Sequence, residues 1–496
     1  MPWLNLLSFV GIFGLCGIAW LGSENRRIIP WKVIIWGIGL QLFLGILVFS
    51  VPVTRLAVLL VSDSVNAVLD AAEAGTRFVF GPLIVPDTAM TPGPILAGRW
   101  IARAVTPPYV PVAGDRLSPE NLNLGYIFAF RALPAVIFFS ALTALLYNLN
   151  LIQPLVNLFA RIFRWSMNLS GAEALSGAAN IFVGIEAALV VRPFLAGMTR
   201  SELCAILTSC FGSIASTVLA LYALFLRPVF PNITGHLVSA SIMAIPACFV
   251  ISKILVPETE VPQTLGSLPA SEISIDYTGK VTHPTDATAD AHEDTPAEPL
   301  ERLRPMDSII IGALDGVKLA VGIVAVLIAI LGLVALVNLL FANLASLALS
   351  SNTVLQSIGR LFQVVTVQNI LGVLFLPLTF LTGVSLQWSE LWQASVLIGR
   401  RLLETEVPAY QQLAVLSSQG AISDRTLLIV SYALCGFVHI PSVGIFVGGL
   451  VGLVPSRRRD IGELGWKALW AATLATLMIG CIAGVFDFGN PTILGR

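Results

Sequence analysis

The sequence predicts an all-α polytopic membrane protein, with eight transmembrane helices plus two re-entrant hairpins arranged as an inverted repeat. Three observations carry that prediction. Of 496 residues, 56% are hydrophobic and only 11% charged, with a mean hydropathy of +0.86; a soluble domain carries roughly 25% charge. Eight apolar stretches are long enough to cross about 30 Å of hydrocarbon. Two more apolar regions, one in each half, are interrupted near the middle by polar residues. The 28 basic and 29 acidic side chains leave no basic excess for a phosphate backbone, so no nucleic-acid partner is expected.

The elements follow in order. Spans at 4–21 and 33–51 open the chain. The first is read as a span and not as a secretory signal, because no basic residue precedes it and a second apolar run follows at once. Residues 54–80 look amphipathic, suited to the interface or to the side of a bundle. The proline-rich stretch 81–123 is expected as an exterior loop, followed by a span at 124–147. The first interrupted region covers about 168–198, with Asn180 and Glu186 inside it. Spans at 203–225, broken by polar residues from Phe211 to Thr217, and at 236–255 complete the first half.

Residues 257–305 are rich in Pro, Thr, Ala, Asp and Glu and hold ten acids between Glu258 and Glu301. Such a segment buries too little apolar area to offset its ordering entropy, so it is read as a disordered cytoplasmic linker. His283 and His292 lie in it and are assigned no metal. The six scattered cysteines suggest neither disulfides nor a metal site. The second half contributes a span at 319–341, an amphipathic stretch at 365–384 and an interrupted region at about 394–420 holding Glu404, Thr405 and Glu406. A span at 427–453, broken from Cys435 to Ser442, and one at 466–487 follow. The expected division is therefore 1–166 as scaffold helices, 167–256 as hairpin and transport-repeat helices, 257–305 as linker, 306–390 as scaffold and interfacial helices, and 391–496 as the second hairpin and transport repeat.

Basic residues orient the chain. Arg26, Arg27 and Lys32, then Arg161, Arg164 and Arg200, then Arg457, Arg458 and Arg459 all reach the cytoplasm if both termini face outward and each hairpin returns to its own side. The expected location is the plasma (inner) membrane, with lipid as surroundings.

A hairpin followed by a broken helix, repeated in each half, is the pointer to a secondary transporter: helix ends and unwound carbonyls meet at a solute and its coupling ion. Arms of about 10–12 residues reach roughly 15–18 Å, so Glu186 and Glu406 would lie deep. A lipid-facing carboxylate there costs on the order of 3 kcal/mol or more, which directs both to a wet cavity or a polar partner. The alternative is that either caps a hairpin arm or pairs with arginine.

At these residues the sequence resembles the concentrative nucleoside transporter family. The matching stretches are FAFRALPAVIFFSAL at 128–142, GAEALSGAANIFVG at 171–184, EAALVVRPFLAGMTRSEL at 186–203, SYALCGF at 431–437 and GIFVGGLVGLVPSRRRDIGELG at 444–465. The resemblance implies a homotrimer that imports nucleosides by elevator-type alternating access, driven by sodium or protons, with no organic cofactor and no enzymatic activity. It implies a sodium site at Asn180, Val183, Ser213 and Ile214, oxygen ligands that suit a hard cation. It also implies a solute site of Glu186 and Val218 at the base, with Glu406, Phe437 and Ser442 toward ribose and ring; a carboxylate can accept from two adjacent hydroxyls.

The sequence departs from the family pattern at several of these positions. The first hairpin tip, Gly184-Ile185-Glu186, is one residue shorter and lacks the glutamine that reads the base. Thr405-Glu406-Val407 replaces Asn-Glu-Phe, Pro441 replaces a serine, and His439 replaces the ribose-binding asparagine. His439 still offers one donor and one acceptor, and with a reference pKa near 6.5 it suits a coupling proton beside Glu406. Hence the alternatives: a proton-coupled carrier of a non-nucleoside polar solute, or a non-transporting receptor on the same fold. Ser442 near His439 is the sole nucleophile–base pair for a hydrolase and lacks a third member. His236 is expected at the interface, and Arg131, Arg192 and Glu173 in structural pairings.

Overall fold

The computed structural model describes residues 2–86, 95–96, 122–124, 127–131, 133–182, 185–214, 216–265 and 304–495. Most of the expected exterior loop and linker therefore fall outside the described residues. Among those described, the chain is helical apart from a two-residue parallel pairing of Ile95–Leu96 with Leu122–Asn123.

The spans read from hydropathy are helices. Pro2–Leu21, Trp31–Gly45 with its π-turn to Ser50, Leu133–Asn148 with the turn Phe128–Arg131 before it, Ile233–Leu255, Pro305–Ala345 and Arg458–Phe486 cross in one piece. The remaining two are broken: Arg200–Gly212 with Ser216–Leu226, and Asp424–Ala433 with Ile440–Leu453. Pro305–Ala345 begins well before the expected 319, because Pro305 fits a first helical turn and Asp307, Asp315 and Lys318 extend a polar end beyond the apolar run. The amphipathic stretch 54–80 is a helix, Pro52–Phe80, that packs beside Leu133–Asn148 and Ile233–Leu255. Helix Thr353–Phe362 bends by 66° into Val367–Leu381.

The repeat is explicit in the order of elements. The first hairpin, Gly171–Ala179 and a tight 3₁₀ arm Ile185–Gly197, leads into the first broken helix and then Ile233–Leu255. The second hairpin, Trp388–Glu404 and Glu406–Ser418, leads into the second broken helix and then Arg458–Phe486. The two closing helices form the centre: 89% and 83% of their most apolar stretches are buried, against 11% for Pro305–Leu349. In a bilayer, helices associate by close packing of small residues and not by escape from water. Gly436, at φ +145°, shows this: a Cβ there would lie 3.0 Å from the carbonyl oxygens of Phe211 and Gly212. The breaks of the two broken helices thus touch backbone to backbone.

Each hairpin returns to the face it left, and a carboxylate holds its mouth closed. Ser170, before the first arm, donates to Glu202 Oε1 (2.5 Å), while Glu202 Oε2 accepts from Thr199 N (2.9 Å). Glu390, in the first turn of the second hairpin, accepts from Ser423 N (2.5 Å) and Thr426 Oγ1 (2.7 Å) at the start of the second broken helix. The three basic clusters share one face. Arg200 pairs with Glu24 and Asp460 (both 3.1 Å), Arg457 with Asp460 (2.8 Å), and Lys32 reaches Asn168 (3.3 Å).

Candidate functional site

Helix ends converge where the hairpins meet the broken helices. In the second repeat Thr405 joins the arms at φ +70°, ψ 173°, a region nearly reserved for glycine that costs on the order of 1–3 kcal/mol. That strain turns Glu406 into the first turn of the second arm. The second half of the broken helix begins nearby, with His439 as its N-cap: Nδ1 accepts from Ser442 N at 3.2 Å. Two positive helix ends therefore face one carboxylate.

Glu406 is fully enclosed, 3% exposed. Its Oε1 accepts from Tyr222 OH at 2.5 Å. Its Oε2 lies 3.1 Å from His439 Nε2, out of line for a hydrogen bond and otherwise unpartnered. Because Nδ1 is an acceptor, the neutral ring carries its proton on Nε2, the nitrogen nearer the carboxylate, though not aimed at Oε2; this tautomer is assigned from the network. Ser442 Oγ sits over the ring, 3.1 Å from Nδ1 and 3.0 Å from Nε2. Phe437 stands edge-on to His439, ring centroids 6.4 Å apart. Val218 is buried one turn before Tyr222 on Ser216–Leu226, on the same helix face. Tyr222 in turn stacks on Tyr410 at 4.5 Å, and Tyr410 donates to Ser431 O (2.8 Å).

Ser442, His439 and Glu406 have the composition of a nucleophile, base and orienting acid, but the wiring is wrong. A triad needs the hydroxyl and the acid on opposite ring nitrogens. Here Nδ1 is taken by the Ser442 backbone, and the acid shares Nε2 with the hydroxyl.

The first repeat presents the opposite helix ends. Gly171–Ala179 terminates at Asn180 and Arg200–Gly212 at Ser213, which is extended (φ −104°, ψ 163°). Carbonyls and the negative ends of two helices meet there. Asn180 is fully buried; its Nδ2 reaches Cys210 Sγ at 3.6 Å, and its Oδ1 has no partner. Ser176, one turn earlier on the same face, also carries a buried hydroxyl without a partner. Ser213 Oγ donates to Ser209 O (2.8 Å), and Ile214 is buried. An orphaned amide oxygen in a water-excluded place costs about 1–3 kcal/mol, a cost that an oxygen-loving cation would remove. The residues present therefore fit a sodium ion.

Of the residues predicted from sequence, Glu406, His439, Ser442 and Phe437 come together, with Val218 on the facing helix. Asn180, Ser213 and Ile214 gather at the first break. Val183 lies outside the described residues, and Glu186 is described by its backbone alone, in the first turn of Ile185–Gly197. His236 differs from expectation. It is buried, with Nδ1 2.9 Å from Tyr432 OH and Nε2 3.0 Å from Ile493 O, because the C-terminal residues fold back over its helix. Glu173 and Lys253 pair at 2.8 Å, and Arg131 meets Glu73 at 2.8 Å. Two site residues were missed. Tyr222 is a hydroxyl in the apolar run Val218–Leu226, which demands a partner. Arg401 is a fully buried arginine, which membrane depth makes costly.

Residues 236–484 match the family described as "Na+ dependent nucleoside transporter C-terminus", 10–83 its N-terminal counterpart, and 129–229 "Gate: Nucleoside recognition". The uncharacterized transporter YutK of Bacillus subtilis is 34% identical over 97% of this chain and 100% of its own length. The nucleoside permease NupC of Helicobacter pylori is 29% identical over 98% and 99%. The structure of CNTnw in an inward-facing substrate-bound state superposes with a TM-score of 0.73 at 31% identity, covering 97% of this chain and 98% of that one.

Proposed function

The chain belongs to the concentrative nucleoside transporter family, a family of membrane transporters and not of enzymes, and from that premise we propose that it imports nucleosides or nucleoside-like solutes in symport with a cation. The observation that carries the proposal is Glu406: a buried carboxylate at the head of a half-helix, held from one side by Tyr222, with its second oxygen left for a donor. Paired ribose hydroxyls are such donors. His439 stands beside the oxygen with Ser442 against its ring, Phe437 offers a ring face, and the base side is assigned to Val218 and, from the resemblance, to Glu186. The missing glutamine at Gly184-Ile185-Glu186 argues for a base preference unlike that of the family pattern.

In this reading sodium binds at the first break, with Asn180 Oδ1 as side-chain ligand and Ser213 and Ile214 beside it; the resemblance adds Val183. The two repeats move together, elevator-like, against scaffold helices within a homotrimer. The shared basic face is assigned to the cytoplasm, the linker 257–305 to the same side, and both termini to the outside. Proton coupling is the second reading, favoured by one contact, His439 Nε2 at 3.1 Å from Glu406 Oε2. Uptake of labelled uridine and adenosine into proteoliposomes, under separate sodium and proton gradients, tests both. Uptake driven by sodium supports the first reading and uptake driven by protons the second. Absence of uptake under either gradient rejects nucleoside transport.

A further inference from the structure

The two repeats bring the same pair of helix C-termini to their breaks but serve them differently. The N-caps Thr199 and Ser423 start the broken helices, and counting from them puts Gly212 and Gly436 at the same place, 13 residues on (212 − 199 = 436 − 423). By the same count Ser209 corresponds to Ala433. In the first repeat the Ser209 carbonyl accepts from Ser213 N (3.2 Å) and Ser213 Oγ (2.8 Å). In the second, Phe437 stands where Ser213 does, and the Ala433 carbonyl instead accepts from the guanidinium of Arg401 (2.5 Å). Arg401 comes from the first arm of the second hairpin, three residues before its last residue (404 − 401). Ser176 occupies that place in the first hairpin (179 − 176). Two buried oxygens, Ser176 Oγ and Asn180 Oδ1, are thus unpartnered in the first repeat; in the second, a positive charge takes the place of Ser176, while Thr405 Oγ1, at the C-cap as Asn180 is, also has no partner.

Arg401 is 1% exposed. Its Nη2 donates to Thr476 Oγ1 at 3.1 Å, and its Nε has no partner. No carboxylate lies within ion-pair distance of it among the described residues, whereas its neighbour Arg400 pairs with Glu404 at 2.6 Å. A buried guanidinium that spends its hydrogen bonds on a helix-end carbonyl and a threonine hydroxyl has the donor partners of a bound alkali cation: backbone and hydroxyl oxygens at the negative end of a helix. Full charge at this depth requires such compensation.

We propose that Arg401 is a tethered cation standing in the second repeat where the coupling cation stands in the first, so that each protomer carries one exchangeable cation site and one permanent one. The inference rests on the reading of the first break as a sodium site. The permanent charge lies beside the Thr405 junction, where it also offsets Glu406 when the solute site is empty.

The test measures sodium-dependent thermal stabilisation and radiolabelled sodium binding of the purified full-length protein in choline buffer. Wild type and Arg401→Lys are expected to bind a single sodium per protomer. Asn180→Ala is expected to lose it. Arg401→Ser, which opens the second site, is expected to gain a second sodium, and the double variant Asn180→Ala with Arg401→Ser to regain a sodium response. A sodium response in wild type with none in the double variant overturns the assignment of Arg401 alone. A response in the double variant with none in wild type upholds Arg401 and rejects sodium at the first break; no response in either rejects both. Arg401→Gln, a neutral donor of similar reach, separates charge from hydrogen bonding: wild-type transport and sodium count in that variant overturn the proposal. If Arg401→Ser folds only in sodium or guanidinium salts, the site has been refilled by a free cation, as proposed. If it folds in none while Arg401→Gln folds in all, the arginine is merely structural.

Discussion

The two hairpins follow one plan and end in opposite chemistry. Each has its mouth tied by a glutamate, Glu202 in the first and Glu390 in the second. Each leads into a helix broken at a glycine, and the two glycines meet. Unpartnered oxygens stand at both, Ser176 Oγ and Asn180 Oδ1 at the first and Thr405 Oγ1 at the second, but only the second helix ends also hold Arg401, and across the Thr405 turn two helix starts hold Glu406. Repetition of a fold thus supplies one negative-end pocket for a cation and one positive-end pocket for a hydroxyl-rich solute. The side chains at equivalent places decide which pocket stays open.

The comparison breaks most readily at Glu406. Glu406→Gln keeps the size and removes the charge, so hydroxyl recognition loses charge-assisted hydrogen bonds worth about 1.5–3 kcal/mol, roughly 10- to 100-fold in uptake efficiency. Size-exclusion chromatography should show an unchanged assembly, and uptake at the wild-type rate rejects the assignment. Tyr222→Phe removes only the hydroxyl on Oε1 and keeps the stack on Tyr410. An apparent solute affinity weakened by about tenfold is expected; an unchanged KM shows that the phenol merely fills space.

A third change sharpens the contrast at the tips. Restoring a Gln-Thr pair before Glu186, in place of Ile185, is expected to move selectivity toward common nucleosides, read by competition among labelled substrates. An unaltered profile means that this tip does not read the base. The mouth ties should be closer in weight: Glu390→Gln and Glu202→Gln are each expected to lower thermal stability by about 1–3 kcal/mol, and a variant indistinguishable from wild type shows that its tie adds no stability.

The smallest effect lies on the basic face. Glu24 is partly buried, which by itself raises its pKa, but Lys467 and Arg200 outweigh that and hold it below the ordinary carboxylate value. A carboxyl depressed in the folded state stabilises above its unfolded pKa, and the contribution fades as pH falls through the folded one. Glu24→Gln should therefore flatten the acid side of a melting-temperature profile slightly and leave the neutral side lower. A profile parallel to wild type excludes the pairing from stability.

Much of this architecture was legible in the chain. The bilayer forces backbone groups to bond within a helix, so apolar length alone located the spans. Polar interruptions at 211–217 and 435–442 marked the breaks to within a few residues of where the helices stop. Asn180, Glu406 and His439 stood out because charge and amide groups are scarce in such a sequence. Tyr222 did not, since a tyrosine in an apolar run looks like any aromatic, and its partner Glu406 is 184 residues away. The pairing of Arg401 with the Ala433 carbonyl was equally hidden, because a backbone oxygen has no sequence signature.

Scarcity of charge, periodic hydropathy and the doubled hairpin were thus fixed by residue order alone, because solvation by lipid acts on each segment locally. Which buried oxygens lack donors, which guanidinium fills a helix end, and that His236 is enclosed were decided only when distant segments packed. Hydrogen-bond satisfaction is a property of neighbours in space, and the chain does not list them.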